Sequence, residues 1–100
     1  MHKLTVFYGH PEDASAFDEY YSSKHAPLAK NVPGLAQFTY GRCEPLGGVE
    51  PDYYLIAELA FDSRATLENA LASPAGQAAS ADLQNFATGG VTMLVHESAE

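Results

Sequence analysis

The residues best suited to chemistry gather in the run Phe17 to Ala29, F-D-E-Y-Y-S-S-K-H-A-P-L-A. Phe17, Tyr21, His25 and Leu28 recur at steps of four, four and three, which is one face of a helix. His25 therefore sits on an apolar stripe and is aimed at the protein interior. An imidazole in that setting titrates near neutral pH and can carry a proton. The alternative is a structural histidine that hydrogen-bonds a backbone group near Pro27 and finishes the helix. Tyrosine is abundant, with six in 100 residues. Tyr8 and Tyr40 each close an apolar alternation near a strand end, and Arg42 is in phase with Tyr40. If they face the helices, they can donate hydrogen bonds to an oxygen-bearing ligand; otherwise they are core residues whose polar ends reach a rim. His25 is thus the candidate catalytic base, with Tyr8, Tyr21, Tyr40 and Arg42 as candidate substrate-binding residues.

Other chemistries find less in the chain. His2, His10, His25 and His96 show no metal-ligand spacing. No G-x-G-x-x-G follows a strand and no P-loop occurs, so Gly47-Gly48 and Gly89-Gly90 read as turn glycines. Cys43 has no neighbour in sequence that would lower its thiol pKa, and a lone cysteine forms no intrachain disulfide. No metal and no cofactor are expected.

Positioning these residues requires a small set of elements. Lys3 to Tyr8 is β-branched and aromatic, apolar on both alternating faces, and ended by His10-Pro11. Asp13 is a suitable N-cap for the helix carrying His25. Pro27 is expected to break or kink that helix, and Val32-Pro33-Gly34 to turn the chain. A second strand runs from Leu35 to Cys43, with Phe38, Tyr40 and Arg42 on one face. A Gly- and Pro-rich loop covers Glu44 to Asp52. The third strand is Tyr53 to Phe61, again apolar on both faces. Asp62 or Ser63 opens a helix to about Ala72. Ser73-Pro74 opens another, Ala-rich and carrying Leu83 and Phe86, which Gly89-Gly90 stops. Val91 to His96 is the last strand, and the tail from Glu97 to Glu100 is expected to fray. The order β-α-β-β-α-β predicts an α+β, ferredoxin-like domain over residues 1–100: a four-stranded antiparallel sheet with helices on one face.

Such a sheet leaves one face open. With both faces of the first and third strands apolar, that open face would exceed what monomers expose, and a second copy packed sheet to sheet is the simplest cover. A charged fraction of only 18% agrees with buried surface of this kind. Thirteen acidic against five basic residues, a net charge of −8, repel nucleic acid and anionic membranes. With no signal-peptide pattern at the N-terminus and no apolar run of membrane-spanning length, the expected setting is the cytoplasm.

The pattern Phe17-x-x-Tyr20-Tyr21-x-x-x-His25-x-Pro27-Leu28, followed by Pro33-Gly34-Leu35, resembles the signature of the EthD family. So does Ser73 to Phe86, S-P-A-G-Q-A-A-S-A-D-L-Q-N-F. The resemblance spans almost the whole chain. It implies a ferredoxin-like fold paired into a dimeric α/β barrel, with a cavity between helices and sheet in each subunit. It also implies a link to ether-degradation gene clusters and a reductase label on thin grounds. The wider superfamily includes cofactor-free isomerases and polyketide cyclases whose small-molecule site is shaped by a histidine near His25. Haem-degrading relatives use a Trp, which this chain lacks. Three functions follow as expectations. The first is a cofactor-independent enzyme in which His25 moves a proton beside a carbonyl or ring. The second is a non-catalytic binder of a small organic molecule. The third is an accessory protein of an oxidising system.

Overall fold

The computed structural model describes residues 1–99. Four strands form one antiparallel sheet in the order β2-β3-β1-β4, with β1 at His2–Tyr8, β2 at Leu35–Arg42, β3 at Leu55–Phe61 and β4 at Val91–Glu97. This is the ferredoxin-like order. The central pair is β1 and β3, matched from His2 opposite Phe61 to Tyr8 opposite Leu55. On the other side of β1, Tyr8 pairs with Val91 and Leu4 with Val95. Strand alternation puts Leu4, Val6, Tyr8, Leu55, Ala57, Leu59 and Phe61 toward the helices, where all are buried.

The first crossover is one helical run in three segments. Segment α1 is Ala14–Tyr20, a π-helical turn follows at Tyr21–His25, and α2 is Ala26–Lys30. Asp13 caps the start, accepting the Ala16 amide at 3.1 Å. The run does not break at Pro27. The π turn closes with the Ala26 amide bonded to the Tyr21 carbonyl, and this widened turn directly before Pro27 lets the run pass the missing N–H without stopping. The turn also serves alignment. Four residues overshoot an α-helical turn by about 40°, and the wider π turn takes up part of that drift between Tyr21 and His25. Pro33-Gly34 then reverses the chain, Gly34 adopting φ +76°.

The second crossover has α3 at Arg64–Ala72, α4 at Pro74–Asp82 and a short 3-10 turn at Leu83–Asn85. Ser63 is the N-cap of α3. Ser73 serves both helices: its hydroxyl donates to the Ala70 carbonyl at 2.6 Å and accepts the Gly76 amide at 3.0 Å. The Ala-rich helix ends at Asp82, not at Gly89-Gly90, so Phe86 lies beyond it on a non-helical residue that folds back into the core.

Four further expectations shift. Tyr53 and Tyr54 precede β3, although the Tyr54 amide still bonds the Tyr8 carbonyl at 2.7 Å. The loop from Glu44 to Asp52 holds a miniature hairpin, with Leu46 and Val49 bridged across Gly47-Gly48 at positive φ. Glu97 is not frayed: it is paired with His2, and the Ser98 amide bonds the Met1 carbonyl; Glu100 lies outside the described residues. The open face of the sheet is also less apolar than expected. Phe7, Ile56 and Leu94 share it with Lys3, Thr5 and Glu58, because the bulky leucines of β3 all face the helices.

Candidate functional site

Tyr8 ends the central strand β1 and points up into the helix layer, with 2% of its surface exposed. Around it pack Phe17, Tyr21 and Phe86, with ring centroids 5.5 to 5.7 Å from its own. His25, 4% exposed, closes this aromatic nest, its ring 4.7 Å from Phe86 and 5.3 Å from Tyr21. The helical spacing that put Phe17, Tyr21 and His25 on one stripe therefore brings all three onto the sheet.

A chain of polar atoms runs through the nest. The Tyr21 and Tyr8 hydroxyls adjoin at one end of it. The Tyr8 hydroxyl lies 3.5 Å from His25 Nε2, at the outer limit of a hydrogen bond. On the far side, His25 Nδ1 is 3.0 Å from Asp82 Oδ2. A carboxylate can only accept, so Nδ1 carries the proton and Nε2 presents its lone pair to Tyr8. Asp82 accepts two more bonds at Oδ1, from the Tyr20 hydroxyl at 2.6 Å and the Asn85 amide at 3.0 Å.

The titration of these groups follows from the packing. Burial lowers His25 below the ordinary imidazole value, outweighing the neighbouring Asp82 carboxylate, so the ring is neutral at pH 7. Burial alone would raise Asp82, but bonds from Tyr20, Asn85 and His25 together hold it below the usual carboxylate value. Desolvation pushes Tyr8 up to about 12 and raises Tyr21 as well. The resting site is a neutral base backed by a carboxylate and faced by two protonated phenols.

Tyr8, Tyr21 and His25 of this polar chain line a cavity of about 160 Å³ between helices and sheet, with Asp82 behind it. Its remaining walls are apolar but for Ser80, and include Val6, Ala29, Ala57, Leu59, Leu83 and Met93. Three of the sequence candidates, Tyr8, Tyr21 and His25, meet here. Tyr40 and Arg42 line a separate cleft on the far side of Tyr21, with Asp18 and Leu55. Tyr40 lies on the edge strand, 43% exposed, its ring 4.8 Å from Tyr21. Arg42 turns to Asp18 at 2.9 Å, and the same carboxylate accepts the Tyr54 hydroxyl at 2.7 Å. Cys43 follows β2, and burial raises its thiol, which disfavours the reactive thiolate. Among the described residues, no group of three His, Cys, Asp or Glu could hold a metal ion.

Sequence reasoning missed Asp82, although a signal was present. An acidic residue ending a helix opposes the helix dipole and needs compensating donors. Tyr20, Asn85 and His25 supply them.

Fold and site together define a ferredoxin-like protein with a small, mostly apolar cavity and one polar wall. Residues 9–90 match the EthD domain, and the chain belongs to the EthD family. It is 51% identical over 94 residues to an uncharacterized 11.0 kDa protein in the thcB-thcC intergenic region of Rhodococcus erythropolis, covering 94% of this chain and 91% of that protein. The crystal structure of an EthD family protein from Bacillus halodurans superposes with a TM-score of 0.92 at 35% identity, covering 98% of both chains. A hydroxynitrile lyase from Passiflora edulis shares the fold, with a TM-score of 0.79 at 16% identity over 99% of this chain and 94% of that one. No helix among the described residues is long and apolar enough to cross a membrane.

Proposed function

We propose that this protein is a cofactor-independent acid–base enzyme acting on a small carbonyl- or ring-containing molecule, and that it works as a homodimer. The observation carrying this reading is the pair Tyr8 and His25 at the wall of the cavity, with Asp82 bonded to His25 from behind. His25 Nε2 takes a proton from a carbon beside a carbonyl. The electron pair of that C–H bond moves to the carbonyl oxygen, which the Tyr8 hydroxyl stabilises by hydrogen bonding. Asp82 then steadies the imidazolium until the proton returns to the same or a neighbouring carbon. Isomerisation and ring closure are both reached from that enolate. The likeness in fold to a lyase agrees with such chemistry on this scaffold.

The test is deuterium exchange at the carbons flanking the carbonyl of cyclohexanone in heavy water, followed by proton NMR. The native protein should accelerate exchange over buffer, and His25→Gln should reduce that acceleration by about 10²–10⁴-fold. Equal exchange rates with native protein and with His25→Gln would sink the proposal.

A second reading rests on the bonds to Asp82. Because that carboxylate also ties Tyr20 and Asn85, His25 can be a fixed member of a structural cross-link. The protein would then bind and hand on a small molecule without changing it. Tight ligand binding with no exchange at any pH would favour this reading.

A further inference from the structure

The cavity's size and polarity define what it takes, on the reading that it is the functional site. A space near 160 Å³ holds one six-membered ring, since an apolar cavity of about 150 Å³ accepts benzene. The lining residues include no Lys or Arg, and the Asp82 carboxylate stands directly behind His25. The one nearby guanidinium, Arg42, belongs to the neighbouring cleft and is engaged by Asp18. An anionic ligand would lose its water here, find no counter-charge, and meet a chain of net charge −8.

The polar wall is more selective still. With Nδ1 committed to Asp82, His25 offers only the Nε2 lone pair, and Tyr8 stands 3.5 Å away. A single atom that both donates and accepts satisfies both groups at once. A hydroxyl does this: it donates to Nε2 and accepts from Tyr8. A bare carbonyl accepts from Tyr8 but leaves Nε2 unmatched, and a carboxylate donates nothing. We infer that the cavity binds a neutral, single-ring compound through one acidic ring hydroxyl, that of a phenol or an enolised cyclic ketone, and rejects the matching carboxylate.

Fluorine NMR with 4-fluorophenol, fluorobenzene and 4-fluorobenzoate tests this directly, because the three share a ring and differ in its polar group. At neutral pH, 4-fluorophenol should bind at least about tenfold more tightly than fluorobenzene, the discrimination expected of one buried hydrogen-bonding group. The benzoate should be the weakest of the three. His25→Leu should erase the preference for the phenol while fluorobenzene still binds. If His25→Leu does not fold, Tyr8→Phe should halve the polar recognition and narrow the same preference. Ala79→Phe, at the half-buried rim, should block both uncharged probes by filling the cavity. Benzoate binding as tightly as the phenol, or a phenol no better than fluorobenzene, overturns the inference. These readouts need no turnover. Failure here with His25-dependent exchange intact discards the ligand class alone; phenol binding without exchange discards the enzyme and keeps the site.

Discussion

Asp82 and His25 each alter what the other can do, and the pair makes firm demands on pH. Folding lowers the His25 pKa from its ordinary 6.5. Between that value and the folded one, the unfolded chain binds a proton that the native protein refuses, so stability rises with pH across this window and is lost as pH falls. Thermal melts should therefore show the midpoint dropping as pH falls below about 6.5, well before most carboxylates titrate. His25→Gln should flatten that part of the curve; an unchanged slope would mean that the imidazole is not desolvated. Tyr8 gives the opposite sign. Its folded pKa, about 12, lies above the ordinary 10.0, so its contribution is intact below pH 10 and declines between those values. Ultraviolet titration of phenolate should show a transition above pH 10 that loses amplitude in Tyr8→Phe; an unchanged amplitude would contradict the packing. Asp82→Ala removes the acceptor of both His25 and Tyr20 and should cost about 1–3 kcal/mol in chemical denaturation. At this scale the sequence disclosed His25, Tyr8 and Tyr21, because periodicity reports which face a side chain takes. It did not disclose Asp82, since contacts between two crossovers 57 positions apart leave no local periodic trace.

The elements succeed through their ends. Asp13 and Ser73 were legible as caps, and Ser63 as one of two with Asp62, because an oxygen-bearing side chain before a helix has one obvious use. The π turn was not legible. Pro27 announces a disturbance, but whether the helix stops or widens depends on what the next turn packs against. Here Ala26 and Ala29 are buried, and continuing the helix keeps them so. The crossing of α3 and α4 was equally hidden. Gly76 looks like a liability in an Ala-rich helix, costing about 1 kcal/mol relative to alanine by propensity alone. A Cβ there would come within van der Waals overlap of the Ala70 and Leu71 carbonyl oxygens, which belong to backbone and cannot rotate away. Gly76→Ala should therefore destabilise by about 1–3 kcal/mol despite its better propensity. Because Gly76, Ala79 and Leu83 line the cavity, it should also weaken ligand binding. A stabilised variant would show that the helices have room to part.

The whole molecule is a slab, 38 × 30 × 17 Å across its Cα atoms, thick enough for one sheet and one helix layer. The βαββαβ order and the helix-covered face were readable from alternation and punctuation alone. What alternation could not assign was which of two apolar faces each strand buries, and so the open face came out more polar than expected. It still carries Phe7, Ile56 and Leu94, the last 56% exposed, around the Lys3–Glu58 pair. A broad face of 38 by 30 Å offers more than the roughly 800 Å² per partner of a standard interface. Lys3 and Glu58 already neutralise each other within one chain at 3.8 Å, so the polar centre need not oppose association. Native mass spectrometry at micromolar concentration should give twice the 10.7 kDa of the chain. The melting temperature should rise with protein concentration, because a partner that binds only folded chain stabilises it by mass action. Leu94→Lys puts a charge in place of an exposed apolar side chain on the same face, and should shift the mass to that of one chain while leaving the helix-side cavity and its ligand binding in place. A native protein that stays monomeric, with a concentration-independent melt, would mean that Phe7, Ile56 and Leu94 are tolerated in water, each softened by the lysine, threonine and glutamate between them.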